Sequence, residues 1–144
     1  MGKGSSRFFV QQFFPERQLQ HYSECTYFTE QEINRLYAIF SSLSPEKFSF
    51  RGRIVGDAEL RLSFEELLSI PQLHECPFGQ RICEVFSSGE QGINFEDFLD
   101  MMSVYSRRAP WNLKAAYVFK IFDYDNDYVI NHEDVRKAIN VITG

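Results

Sequence analysis

Three six-residue pieces limit what this chain can fold into more than any other feature. Leu62–Leu67 reads LSFEEL, Ile93–Phe98 reads INFEDF and Ile130–Val135 reads INHEDV. Each is an aliphatic residue, then Ser or Asn, then any residue, then two acids, then an apolar residue. Their starts lie 31 and 37 residues apart, a spacing that marks a repeated supersecondary unit. Ser or Asn caps a helix start, and acids in the first turn favour the positive end of its dipole. Each piece therefore reads as a strand residue followed at once by a helix.

A helical stripe follows two of the pieces: Phe95, Phe98, Leu99 and Met102, then Val135, Ala138, Ile139 and Ile142. A helix also precedes each piece. Thr29–Glu32 is a capping box ahead of Ile33, Leu36, Tyr37 and Phe40. Phe78, Ile82, Val85 and Phe86 mark the second, and Ala115, Val118, Phe119 and Phe122 the third, with Pro110 as a boundary. Helix, loop, strand residue, helix is the EF-hand plan. The expected fold is all-α, built of helix-loop-helix units with short strands between loops. Its parts are an N-terminal segment over 1–25, a lobe of two degenerate hands over 26–106 and a third hand over 107–144.

An EF-hand loop supplies oxygens from positions 1, 3, 5, 7, 9 and 12, position 7 through its backbone carbonyl. In DYDNDYVINHED these are Asp123, Asp125, Asp127, Val129, Asn131 and Asp134, with Ile130 at the strand position. The second loop, aligned on Ile93, puts Phe86 at position 1 and Ser88 at position 3, so the first two carboxylates are gone. The first, between Phe40 and Leu62, is too long and too basic. Hence one Ca²⁺ or Mg²⁺ site is expected. Tyr128 stands at position 6, where positive φ favours Gly. Either it is held there at about 1–3 kcal/mol of strain, or the loop opens. Asp134 is one methylene shorter than the usual Glu, which favours six ligands and hence Mg²⁺ over Ca²⁺.

Other classes are disfavoured. The net charge of −5, with no basic run, argues against nucleic acid. The histidines His21, His74 and His132 are scattered, and no GxSxG, P-loop or HExxH occurs, so no enzyme is expected. Cys25, Cys76 and Cys83 match neither a zinc site nor a disulfide framework, which suits a reducing compartment. No window has the roughly 20 apolar residues of a membrane span. Met1-Gly2-Lys3-Gly4-Ser5-Ser6 matches the myristoylation pattern, with Gly2 as acceptor. Phe8, Phe9, Phe13 and Phe14 could then meet a membrane, although packing into the core is the plainer expectation.

The segments YSECTYFTEQEINRLY, LLSIPQLHECPFGQRICEVFS, INFEDFLDMMSVYS and AAYVFKIFDYDNDYVINHEDV resemble the calcium- and integrin-binding family across Tyr22–Gly144. The resemblance implies a non-enzymatic adaptor at the cytoplasmic side of the plasma membrane. It implies partners presenting amphipathic helices, such as integrin α tails or membrane channel subunits. It also implies four hands, yet the sequence stops at Thr143-Gly144, either as a short product or as an incomplete sequence. Phe119, Phe122, Val135, Ile139 and Ile142 would then lack part of their cover, forming a partner-binding face or a site of self-association. Two alternatives remain at this point: a structural adaptor that holds no metal, and a calcineurin B-like regulatory subunit.

Overall fold

The computed structural model describes residues 13–48, 60–89 and 92–144. Gly2, Phe8 and Phe9 lie outside the described residues. Among the described residues the helices are α1 (Glu16–Cys25), α2 (Glu30–Ser42), α3 (Pro45–Phe48), α4 (Phe64–Leu67), α5 (Pro71–His74), α6 (Gly79–Phe86), α7 (Phe95–Tyr105), α8 (Trp111–Phe122) and α9 (His132–Thr143). The all-helical EF-hand reading holds. Among the described residues the inter-loop strands are reduced to one antiparallel bridge, Leu62 to Ile93, with N–H to carbonyl distances of 2.9 and 2.8 Å. Gly92 precedes it at φ +123°, where an added Cβ would lie 2.9 Å from the Leu62 carbonyl. A side chain there would push the two loops apart.

The repeated pieces start helices as their composition demands. Ser63, Asn94 and Asn131 each accept a hydrogen bond from the backbone N–H three residues on. The acids there, Glu66, Asp97 and Asp134, reach back to the cap's own N–H. Thr29 and Glu32 form the same reciprocal pair before α2. The helix after LSFEEL lasts only to Leu67, because Pro71 cannot continue it and starts α5 instead. Neither α3 nor α5 has a stripe long enough to be read from spacing.

The core is aromatic. Phe40, Phe95 and Phe98 are among the largest fully buried side chains, each contributing roughly 1.5–3 kcal/mol by burial. Phe14 stacks on Phe95 with centroids 5.3 Å apart and meets Tyr37 edge-on at 4.8 Å, while Phe13 lies against Tyr37 at 4.9 Å. Both phenylalanines thus join the core. α2 packs against α1 and α7, α4 against α6, and α8 against α6 and α7. Phe86 of α6 stacked on Tyr117 of α8 at 4.7 Å fixes the contact between those two helices. Arg108 forks onto Glu32 at 2.8 Å through both nitrogens and donates to the Tyr27 carbonyl at 2.7 Å, tying the start of α2 to the turn after α7.

Candidate metal centre

The third loop is delivered by the end of α8 and closed by the start of α9. The N–H of Asp123 bonds the Phe119 carbonyl at 2.9 Å, so its carboxylate emerges at the helix terminus. Asp134 is the reciprocal acid of the α9 cap. Its Oδ2 accepts from the Asn131 N–H at 3.1 Å, and its Oδ1 from the Tyr124 N–H across the loop at 3.0 Å. Both acids are buried, whereas Asp125 and Asp127 are exposed. One carboxylate oxygen from each of the four lies within 4.8 Å of the others. Among the described residues this is the one group of three or more His, Cys, Asp or Glu that could hold a metal ion.

Backbone donors shape the loop from inside. Asp123 accepts from the N–H of Asp127 at 3.2 Å and of Tyr128 at 2.9 Å, and Asp127 accepts from the Val129 N–H at 3.0 Å. Asn131 turns its side-chain oxygen to the Asp134 N–H at 3.1 Å. Tyr128 settles its own alternative: it sits at φ +65° with the loop closed, and its side chain is 86% exposed. The strain is accepted and the loop does not open. Asn126, at φ +57°, shares the left-handed region, which Asn tolerates better.

The acids unbalance each other's protonation. Burial alone would raise Asp123, but the Tyr128 N–H and a hydrogen bond with Asp125 hold it below the usual carboxylate range. Asp125, though exposed, is pushed up by partial loss of water among the clustered carboxylates, by hydrogen bonding to Asp123 and Asp127, and by the charge of Asp127 and Asp134. Crowded carboxylates that share hydrogen bonds push one another's protonation apart in this way. The donor set is all oxygen, which suits a hard divalent cation rather than a soft metal.

One contributor could not be found from local spacing. Arg81 on α6 donates to the carbonyls of Ile121 at 2.9 Å, Lys120 at 3.0 Å and Asp123 at 2.7 Å. It caps the α8 terminus that carries the first acid. Its guanidinium also lies 4.9 Å from the Tyr124 ring centroid.

The apolar positions of this hand divide. Phe119, Val135, Ile139 and Ile142 are exposed, as is Val118. Phe122 is half-buried against Phe78, with centroids 5.1 Å apart. Between α6, α8 and the acid loop lies a groove of about 740 Å³, lined among others by Val85, Ala115, Phe119, Arg81, Asp123 and Tyr128.

No protein-family model matches the chain. Among individual proteins, it is 41% identical over 132 residues to calcium and integrin-binding family member 2 of Drosophila melanogaster, covering 90% of this chain and 69% of the relative. It is 40% identical to the Danio rerio member 2 and 38% identical to the Homo sapiens member 3, in each case over 134 residues, 92% of this chain and 71% of the relative. At that identity and coverage, the chain belongs to the calcium and integrin-binding family.

Proposed function

We propose that this chain is a divalent-cation-binding EF-hand adaptor without catalytic activity. The observation carrying this reading is the cluster of Asp123, Asp125, Asp127 and Asp134, with oxygens within 4.8 Å of one another. No salt bridge reaches those four carboxylates among the described residues. These acids would hold the ion, joined by the Val129 carbonyl and by Asn131. A bound divalent cation would offset two of the four negative charges. What the chain itself supplies is order: the α9 cap fixes Asp134, Arg81 fixes the α8 end, and Tyr128 points its N–H at Asp123. The short Asp134 supports a relative preference for Mg²⁺. Calorimetry with Ca²⁺ and Mg²⁺ on the wild type and on Asp123→Ala tests this. Heat in the first and none in the second is expected; no heat from either ion in the wild type leaves an adaptor that needs no metal.

The family name supports protein partners, integrins among them. The groove along α6 and α8 and the exposed Phe119, Val135, Ile139 and Ile142 support an amphipathic helix as the bound element, from an integrin α tail or a channel subunit. Pull-down with such a tail should be lost in Phe119→Asp. A second reading, self-association, is favoured by Ile130: it is exposed and, unlike Leu62 and Ile93, makes no loop-to-loop bridge among the described residues. Light scattering of a strict monomer at high concentration would count against it. Acylation at Gly2, and with it a place at the inner membrane surface, is checked by the intact mass of protein made in eukaryotic cells.

A further inference from the structure

The bridge between Leu62 and Ile93 shows how two hands of this chain cover each other. Each residue donates its N–H to the other's carbonyl, at 2.9 and 2.8 Å. Such an exchanged pair has a local two-fold axis, because swapping the two residues leaves the hydrogen bonds unchanged. Around it α2 packs on α7, and α4 on α6. Leu62 and Ile93, and the residues five positions after them, Leu67 and Phe98, are all fully buried. The third hand carries the same parts in the same register: Ile130 at the bridge position, Asn131 as cap, Asp134 as reciprocal acid and Val135 five positions on. Here they are uncovered. Ile130 is 38% and Val135 46% exposed, and Ile130 forms no bridge among the described residues. α9 packs chiefly on α8, the other helix of its own hand.

We propose that the cover for this face is the third hand of a second copy, joined about a two-fold axis so that the two Ile130 residues exchange N–H to carbonyl bonds. This geometry rests on the self-association reading above and names its contact. Symmetry favours a like hand as the occupant. An exchanged antiparallel pair is two-fold symmetric, so one residue can pair with its own copy, which is the condition for a closed dimer. Supply favours it too, since the first and second hands are already spent on each other and the third is the hand each copy has to offer. The area is sufficient. Val118 and Phe119 on α8, and Val135, Ile139 and Ile142 on α9, join Ile130 at exposures of 38% to 62%. They leave on the order of 500 Å² per copy to be covered, about 1,000 Å² in a pair, the size at which specific interfaces begin. A pair closed in this way buries Phe119 and so competes with a helical partner for that side chain.

The test uses the full chain in physiological salt with millimolar Mg²⁺. Sedimentation equilibrium should show a reversible monomer–dimer equilibrium and no larger species. Ile130→Lys and Ile130→Glu set like charges across the axis, and each alone should weaken the dimer more than tenfold. An equimolar mixture of the two should recover a heterodimer, because unlike charges then face each other. In a chain carrying Cys25→Ser and Cys76→Ser, with Cys83 buried, Ile130→Cys should cross-link the dimer under diamide. Exchanged pairs hold their Cα atoms about 5.5 Å apart, within a disulfide's reach. Gln20→Cys, on the exposed side of α1, should not cross-link. Charged variants that leave the dimer intact, a mixture that stays monomeric, or a dimer without the cross-link would each overturn this pairing while leaving self-association through another face. A strict monomer at high concentration overturns both. Capture of an integrin α-tail peptide by that monomer, lost in Phe119→Asp, would give the face to a helical partner. Open-ended aggregates overturn the pairing too, since a two-fold contact closes. If a charged variant fails to fold, the Ile130→Cys cross-link decides alone.

Discussion

Tyr128 is the residue whose replacement has the most calculable effect. It lies at φ +65° with its side chain 86% exposed, so a substitution removes almost no packing. What changes is the backbone. The left-handed region costs an L-residue roughly 1–2 kcal/mol. Gly avoids that cost but loses roughly 0.5–1 kcal/mol more conformational freedom on folding. Tyr128→Gly should therefore stabilise the chain by up to about 1.5 kcal/mol, which for a urea m-value of roughly 1–3 kcal/mol/M moves the midpoint upward by several tenths of a molar. The N–H to Asp123 bond of 2.9 Å is backbone and survives. Measurements belong in EDTA, so that ion binding does not mix with strain. A graded series sharpens the result: stability should fall from Gly through Asn to Tyr and then to Val, whose branched Cβ suits this region least. A series in which Val equals or exceeds Tyr, or in which Gly is the least stable, would refute the argument that strain at this one position is retained in the folded loop.

Three further outcomes are expected. Asp134→Glu lengthens the closing carboxylate and should shift preference from Mg²⁺ toward Ca²⁺ in competitive calorimetry. Glu32 is held down to about 2 by its hydrogen bonds from Arg108 and from the Thr29 N–H. Because the folded value is the lower one, its stabilising contribution is complete above the ordinary value of about 4.5 and is lost as pH falls toward about 2; Arg108→Ala should flatten the urea midpoint over that window. Cys83 is buried, with its thiol pushed up to about 11 by burial and by Glu84, while Cys25 is exposed. Mass spectrometry after brief alkylation of the native chain should find Cys25 modified and Cys83 untouched until urea is added.

The helix starts were legible because a cap is a local device: Ser63, Asn94 and Asn131 each find their partner three residues on. The gathering of Asp123, Asp125, Asp127 and Asp134 was legible for the same reason, since the four acids fall within one short loop. Long-range cations were not. Lys47 meets Glu66 across 19 residues, Arg61 meets Ser88 across 27, and Arg81 meets Asp123 across 42. No periodicity links such pairs, and the basic character of the first loop read only as a reason against metal. Periodicity was also blind to cover. The stripe Val135, Ala138, Ile139, Ile142 is as regular as that of α7, yet only Ala138 of the four is buried. Phe122 found Phe78, a contact that needs the packing of α8 on α6 to exist first.

Arg81 has a consequence for how parts of the chain can move. A helix terminus in water is free to fray or to swing with its loop. The end of α8 is instead pinned at three points to a side chain rooted in α6, and α6 ends just before Ser88, which Arg61 contacts. The joint between the second hand and the acid loop therefore behaves as a fixed axle rather than a slack tether. Any displacement of the α8 end as a unit carries Arg81 and α6 with it or breaks all three hydrogen bonds.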